Sequence, residues 1–257
     1  MIIGNRGNDQ IDGGAGRDVI FGGGENDIIY AGDGHDYVNG STGSDRIYAG
    51  DGNDLIKGHT SADVIYGGRG NDNLFGEIGN DRLYGDEGTD YLAGGVGNDA
   101  LYGGDDNDKL YGQSGADTLD GGAGNDYILG GSSADRIFGG NGQDRLYGQV
   151  GNDRLFGGSG SDYINGGAGN DVMTGADGRD VFVFTEGADI ITDFDDRYDR
   201  LQIDSDLWTG SASPSILLGR YGNIQHGDTV LDFGNGHVLT LDGVTDLSSL
   251  ISQIDII

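Results

Sequence analysis

The sequence predicts an all-β chain whose first 183 residues wind into a parallel β-solenoid, followed by a smaller β-rich segment over 184–257. Three observations predict it. Aspartate recurs at every ninth residue from Asp9 to Asp189 without a slip. Two residues after each Asp stands an apolar side chain, from Ile11, Ile20 and Ile29 to Met173, Phe182 and Ile191. Glycine usually stands two residues before it, in units such as Gly121-Gly122-Ala123-Gly124-Asn125-Asp126-Tyr127-Ile128-Leu129. A unit this short cannot bury its own apolar residue, so units must stack.

Within each unit the last three residues suit a short strand, its middle side chain inward and its neighbours outward. The six before them are turn residues, rich in Gly, Asn and Asp, which tolerate positive φ. Two units make one coil of 18 residues. Roughly ten coils at about 4.8 Å give a rod on the order of 50 Å long. Gly does not recur every third residue, which excludes collagen. An unbroken apolar column excludes a flexible linker. Ile2 falls in the inward column and Ile3 in an outward one, so the chain starts inside an uncapped strand: either more protein precedes Met1, which is the expectation, or this end stacks on a partner.

Beyond Asp180 the pattern decays, and Phe184 stands where Gly is expected. Residues 190–194, 200–203 and 215–218 read as strands or buried segments. Residues 228–233 and 237–241, joined by Gly234-Asn235-Gly236, read as a hairpin. Asp246 is expected to cap a short helix carrying Leu247, Leu250 and Ile251, and Trp208 to join the core of this cap. The segment is expected to seal the C-terminal end of the rod.

Asp and Glu number 44 against 14 Lys and Arg, a formal net charge of -30, with 55 Gly, one Pro and no Cys. Such acidity excludes nucleic acid and anionic membrane surfaces as partners. Without a counter-charge the repeats would be expanded and disordered. No disulfide can staple them, which leaves metal. No stretch approaches the roughly 20 apolar residues of a membrane helix. Residues 1–6 carry neither the basic nor the apolar region of a signal peptide.

Carboxylates at fixed spacing among turns that expose carbonyls offer oxygen ligands only, and calcium takes six to eight of them at about 2.3–2.6 Å. The absence of Cys, and the scatter of His35, His59, His226 and His237, argue against zinc and copper. The candidate ligands are Asp9, Asp18, Asp27, Asp36, Asp45, Asp54, Asp63, Asp72, Asp81, Asp90, Asp99, Asp108, Asp117, Asp126, Asp135, Asp144, Asp153, Asp162, Asp171 and Asp180. Turns paired between coils allow at most about 18 divalent ions, which would roughly neutralise the charge of -30.

The nonapeptide resembles the RTX repeat, the hemolysin-type calcium-binding repeat of secreted bacterial proteins, over about two-thirds of the chain. The resemblance implies a right-handed parallel β-roll loaded with multiple Ca2+. Each ion would lie between successive turns on one side, held by Asp carboxylates and main-chain carbonyls of repeats n and n+2. It also implies an extracellular or cell-surface location, a larger exported protein with an upstream domain, and a type I secretion apparatus reading an uncleaved C-terminal signal. Residues 181–184 and 191–195 look like segments that follow such arrays. Asp255-Ile256-Ile257 is similar to the ending of some such signals; an ordinary capping segment is the alternative for the last ten residues.

Departures from the unit mark weaker sites. The Gly two before Asp becomes Glu25, Ser61, Asp106 and Ser133, and the second Gly of the unit becomes Ser41, His59, Glu77, Asp86, Gln113 and Gln149. Positive φ is costly for these, so sites beside residues 59–66 and 131–138 are expected to be weaker, and those over 157–180 best formed. Extracellular modules bind calcium at about 10⁻⁴–10⁻³ M. The chain is therefore expected to be unfolded inside the cell and to fold outside in a steep transition.

On alternate repeats the residue after the inward one reads Tyr30, Tyr48, Tyr66, Tyr84, Tyr102, Asp120, Phe138 and Phe156, flanked by Arg46, Arg82, Arg136 and Arg154. This row is either a shelf for acidic sugars or, more simply, a stabilising stack. The opposite sheet, with Phe21, Asn39, Lys57, Phe75, Ala93, Tyr111, Leu129 and Tyr147, shows no comparable run. Asp193, Asp195, Asp196 and Asp199 read as a solvated acidic loop, since Tyr198 stands where an EF-hand wants Gly. No GxSxG, HExxH, P-loop or Cys–His pair is present. The chain is read as a non-catalytic, calcium-dependent folding and secretion module. The competing reading is an acidic-polysaccharide-binding accessory module; arrays resembling this one accompany alginate-modifying epimerases, proteases and lipases.

Overall fold

The apolar column lies fully buried, with Ile20, Val38, Leu110 and Leu119 among its members at 0% exposure. The computed structural model, which describes residues 1–208 and 213–257, shows how. Successive strands alternate between two sheets. Ile2–Arg6, Val19–Gly24, Tyr37–Thr42 and their successors build a first sheet of 13 strands; Gln10–Asp12, Ile28–Asp33, Arg46–Asp51 and theirs build a second of 14. Pairing through the repeats is parallel at an offset of 18 residues, as in Leu92↔Leu110↔Ile128. The chain is thus a parallel β-solenoid of about 11 turns.

Most repeat strands run six residues rather than three, because pairing continues through the glycines, as in Tyr127–Ser132. Each such strand has two inward places. The first holds the Ile, Val or Leu; the second is usually a glycine such as Gly22 or Gly130, also buried. The core is therefore one apolar side chain deep per strand, with no neighbour able to fill a gap. Leu110→Ala is expected to destabilise the folded chain by about 2–5 kcal/mol. A urea midpoint unchanged from the parent would contradict that.

At the turns a ladder unforeseen from the sequence runs along the residue before Asp. The amide of Asn98 donates to Asn80 Oδ1 at 2.8 Å, and that of Asn71 to Asn53 Oδ1 at 3.0 Å. Asn side chains thereby satisfy turn amides that have no strand partner.

Both sheets continue past residue 184. Val181–Phe184, Arg200–Ile203 and Ile254–Ile256 extend the first sheet, all parallel. The last of these places the C-terminal residues as its terminal strand, with Ile254 buried. Ala188–Ile191 extends the second, and the expected hairpin forms from Asp228–Gly234 and His237–Leu241, with positive φ at residues 234–236. Trp208, Phe184 and Tyr221 surround Phe233 with ring centroids 5.1–5.9 Å away. Asp246 accepts the Ser248 amide at 2.8 Å but does not cap a helix: the 3-10 turn Ser249–Ser252 has Ser248 as its N-cap with no side-chain cap bond, and Leu247 lies before it. Residues 215–218 are not a strand: Pro214–Tyr221 is an α-helix that buries Leu217 and Leu218. Pro214 at its first turn was the helix-start signal.

Candidate metal centre

The aspartates form two columns, one at each edge of the sheets. Asp9, Asp27 and onward to Asp189 precede the second sheet's strands; Asp18, Asp36 and onward to Asp180 precede the first's. Carboxylates thus line both edges rather than one. From Asp27 to Asp189 every member is buried, with exposures of 0–3%. Asp9 and Asp18, in the first coil, are half-buried.

Each carboxylate has two different oxygens. Oδ1 accepts the amide of the Asp one coil earlier, as from Asp9 to Asp27 at 2.8 Å and from Asp108 to Asp126 at 2.8 Å. The link repeats without a gap up to the amide of Asp171 and the carboxylate of Asp189. Oδ2 is buried and has no hydrogen-bond partner in nineteen of these aspartates. An orphaned buried carboxylate oxygen is expensive, and nineteen of them stand in register.

What each Oδ2 faces explains the first glycine of the unit. That glycine has ordinary φ; its role is to lack a side chain. A Cβ at Gly22 would lie 2.6 Å from Asp27 Oδ2 and 2.7 Å from the carbonyl oxygen of Gly40, one coil on. At Gly130 the corresponding distances are 2.5 Å to Asp135 Oδ2 and 2.9 Å to Gly148 O. An anionic and a neutral oxygen therefore converge on a cradle that a methyl would fill. Ala31 and Ala49 hold this place before Asp36 and Asp54, a narrowing that the sequence reading passed over.

The second and third glycines meet a different demand, positive φ. All twelve non-glycine residues at these places, Asn5 and Ala176 included, keep it, from Ala176 at 69° to His59 at 89°. Glycines in the same column open further, as Gly23 does at 118°, where a Cβ would strike the Asn5 carbonyl. Substituted turns therefore keep the fold by rotating toward the left-handed helical region, at a cost in strain.

Burial pushes the carboxyls up, partly offset by the amide each accepts and reinforced by neighbouring carboxylates. Asp63, Asp108 and Asp189 reach about 8, Asp72 and Asp135 about 7, and Asp45, Asp126 and Asp162 about 6. A cation would hold them ionised. Among the described residues no three acidic, His or Cys side chains gather at one point. A cation here would depend on main-chain carbonyls as well as carboxylates. An all-oxygen donor set of that kind fits calcium.

Asp199 continues the column one residue out of register. Its Oδ1 accepts the Asp180 amide at 2.9 Å, its Oδ2 accepts the Asp195 amide at 2.8 Å, and it is 4% exposed. The acidic loop is thus only partly solvated. Asp193 accepts the amides of Gly175 and Ala176, and Asp195 pairs with Arg197.

The aromatic rows also differ from expectation. On the second sheet Tyr30, Tyr48, Tyr66, Tyr84 and Tyr102 stack face to face, centroids 4.8–5.0 Å apart and tilted by 4–7°. Their faces cover one another, so the row offers edges and no shelf. The first sheet carries a comparable run after all. Phe75, Tyr91, Tyr111, Tyr127, Tyr147 and Tyr163 zigzag with tilts of 30–52°, because two outward columns interleave.

This oxygen-lined, coil-by-coil architecture defines a calcium-binding β-roll. The RTX calcium-binding nonapeptide repeat family matches in overlapping segments from residues 3–38 through 156–191, and the chain belongs to that family. No curated protein matches the chain significantly. Among solved structures it is similar to the extracellular lipase LipA of Serratia marcescens, at 22% identity and a TM-score of 0.42 over 79% of this chain. The chain spans 40% of that lipase. It is also similar to a subunit of the mannuronan C5-epimerase of Azotobacter vinelandii, at 25% identity and a TM-score of 0.21, over 59% of this chain and 78% of that one. At these TM-scores neither likeness bears on function. Among the described residues no helix is long and apolar enough to cross a membrane.

Proposed function

We propose that the chain is a non-catalytic, calcium-dependent folding module of a larger exported protein. The 1–183 roll would fold outside the cell, and residues 184–257 would close it and carry the export signal. The observation that carries this reading is the set of nineteen buried, unpartnered Oδ2 atoms. In this reading the ligands are Asp9 and each ninth Asp to Asp180, with Asp189 extending one column; Asp199, whose two oxygens both accept amides, ends the other. Oδ1 fixes each carboxylate to the coil before it, and Oδ2 stays free to ligate together with the glycine carbonyl one coil on. Bound calcium supplies the positive charge that lets a buried carboxylate stay ionised. Asp36 and Asp54, crowded by Ala31 and Ala49, would ligate least well.

Circular dichroism against free calcium tests it. Parallel β signal should be nearly absent in excess chelator at neutral pH. It should rise steeply at about 10⁻⁴–10⁻³ M, above cytosolic levels. Full β-structure in chelator would overturn the reading.

A further inference from the structure

The stacked row of the second sheet is interrupted between two of its rings. The column passes from Tyr102 to Asp120 and then to Phe138, each in register with the next. Tyr84 and Tyr102 end one run of rings with centroids 4.9 Å apart; Phe138 and Phe156 resume it at 5.2 Å, with tilts of 7° and 8°. Tyr102 and Phe138 therefore stand two coil steps apart, about 9.6 Å. That gap is one ring thick. A flat group placed midway would meet each ring at the spacing of the filled rungs.

A second, independent observation is that no neighbouring ring enters the gap. In the first sheet Ala93 and Leu129 also interrupt a row, but Tyr91 and Tyr127 lean in from the adjoining outward column, and Ala93 is 4% exposed. Beside Asp120 the adjoining column offers only Ala100 and Thr118, too short to fill a rung, and then Arg136. Asp120 stays half-buried, and among the described residues it forms no salt bridge, with Arg136 or any other cation. The empty rung thus has an aromatic face on each side, negative by its quadrupole, and a carboxylate at its floor.

We propose that this rung binds a planar organic cation of the amidinium or guanidinium class. Such a group is one ring thick, points an N–H fork at a carboxylate and is attracted to aromatic faces on both sides. A compact ammonium carries the charge without the plane. A neutral sugar is puckered and lacks the charge. A free small cation and an arginine side chain of a partner polypeptide share the required chemistry.

The test is titration of the calcium-saturated full chain with benzamidinium, followed by nuclear magnetic resonance of the Tyr102 ring. Saturable binding is expected with a Kd on the order of 1–10 mM. Neutral, flat benzamide and non-planar cyclohexylammonium should each bind at least about fivefold more weakly, and Asp120→Asn should cost about fivefold or more. Asp120→Tyr, which fills the rung, should abolish binding. Asp12→Asn, in the same column but with a ring, Tyr30, on one side only, should cost less than about twofold. Tighter binding of a capped Gly-Arg-Gly peptide than of methylguanidinium would assign the rung to a polypeptide, and equal or weaker binding to a free cation. No saturable shift at Tyr102, benzamide binding equal to benzamidinium, or undiminished binding by Asp120→Tyr would overturn the proposal. Circular dichroism of each sample checks that the roll is folded, so failure here leaves calcium-dependent folding untouched, and the converse holds.

Discussion

Stripped of divalent cations, the chain is expected to gain β-structure as pH falls from about 8 to about 5 and to lose it on return. Eighteen column aspartates have carboxyls raised by burial in the folded roll. A carboxyl whose folded pKa exceeds its unfolded value of about 3.9 favours the folded state below that value. The contribution fades as pH rises through the folded value, from about 6 at Asp45 to about 8 at Asp63. Even about 1 kcal/mol per carboxyl, summed over the columns, exceeds the roughly 5–15 kcal/mol by which domains are stable. The metal-free roll should therefore fail at neutral pH and partly recover in acid. With calcium the trend should reverse, since protons compete for the same oxygens. Far-ultraviolet circular dichroism at several pH values, with and without chelator, reads both limbs. A metal-free signal flat from pH 8 to 5 would contradict the burial argument.

Gly121→Val is expected to be among the most damaging single changes in the roll. Its Cβ would lie 2.7 Å from the Gly139 carbonyl oxygen and against Asp126 Oδ2. The branched side chain would fill the cradle and push apart two coils. The calcium-loaded chain should lose on the order of 2–4 kcal/mol, with a lower bound-calcium count by equilibrium dialysis. Ala31→Gly should act in the opposite direction on calcium affinity by reopening a cradle. Gly219→Ala is the control: it lies in the helix Pro214–Tyr221 with nothing within 4 Å of the added carbon, and should stabilise by about 0.4–1 kcal/mol. If Gly121→Val leaves calcium count and stability near the parent's, the cradle has no role.

The roll was legible because its two demands, a buried apolar residue and a charged turn, repeat at one fixed spacing. Ile20 and Asp27 announce their places by register alone. Features that depend on breaking or combining registers were not legible. Asp199 was missed because one inserted residue moves it off the ninefold count. The tilted ladder through Tyr111 and Tyr127 was missed because it interleaves two columns, each unremarkable alone. The first glycine of the unit was read as a turn former, whereas Gly22 and its equivalents serve by leaving space. Residues 215–218 form a four-residue apolar run, too short for periodicity to separate helix from strand.

Crystals grown in calcium, with anomalous scattering used to place the ions, test the central claim most directly. Peaks should lie in both turn columns, within about 2.3–2.6 Å of the Asp Oδ2 atoms, and be weakest beside Ala31 and Ala49. Well-ordered coils whose Oδ2 atoms met only water or protein would contradict it.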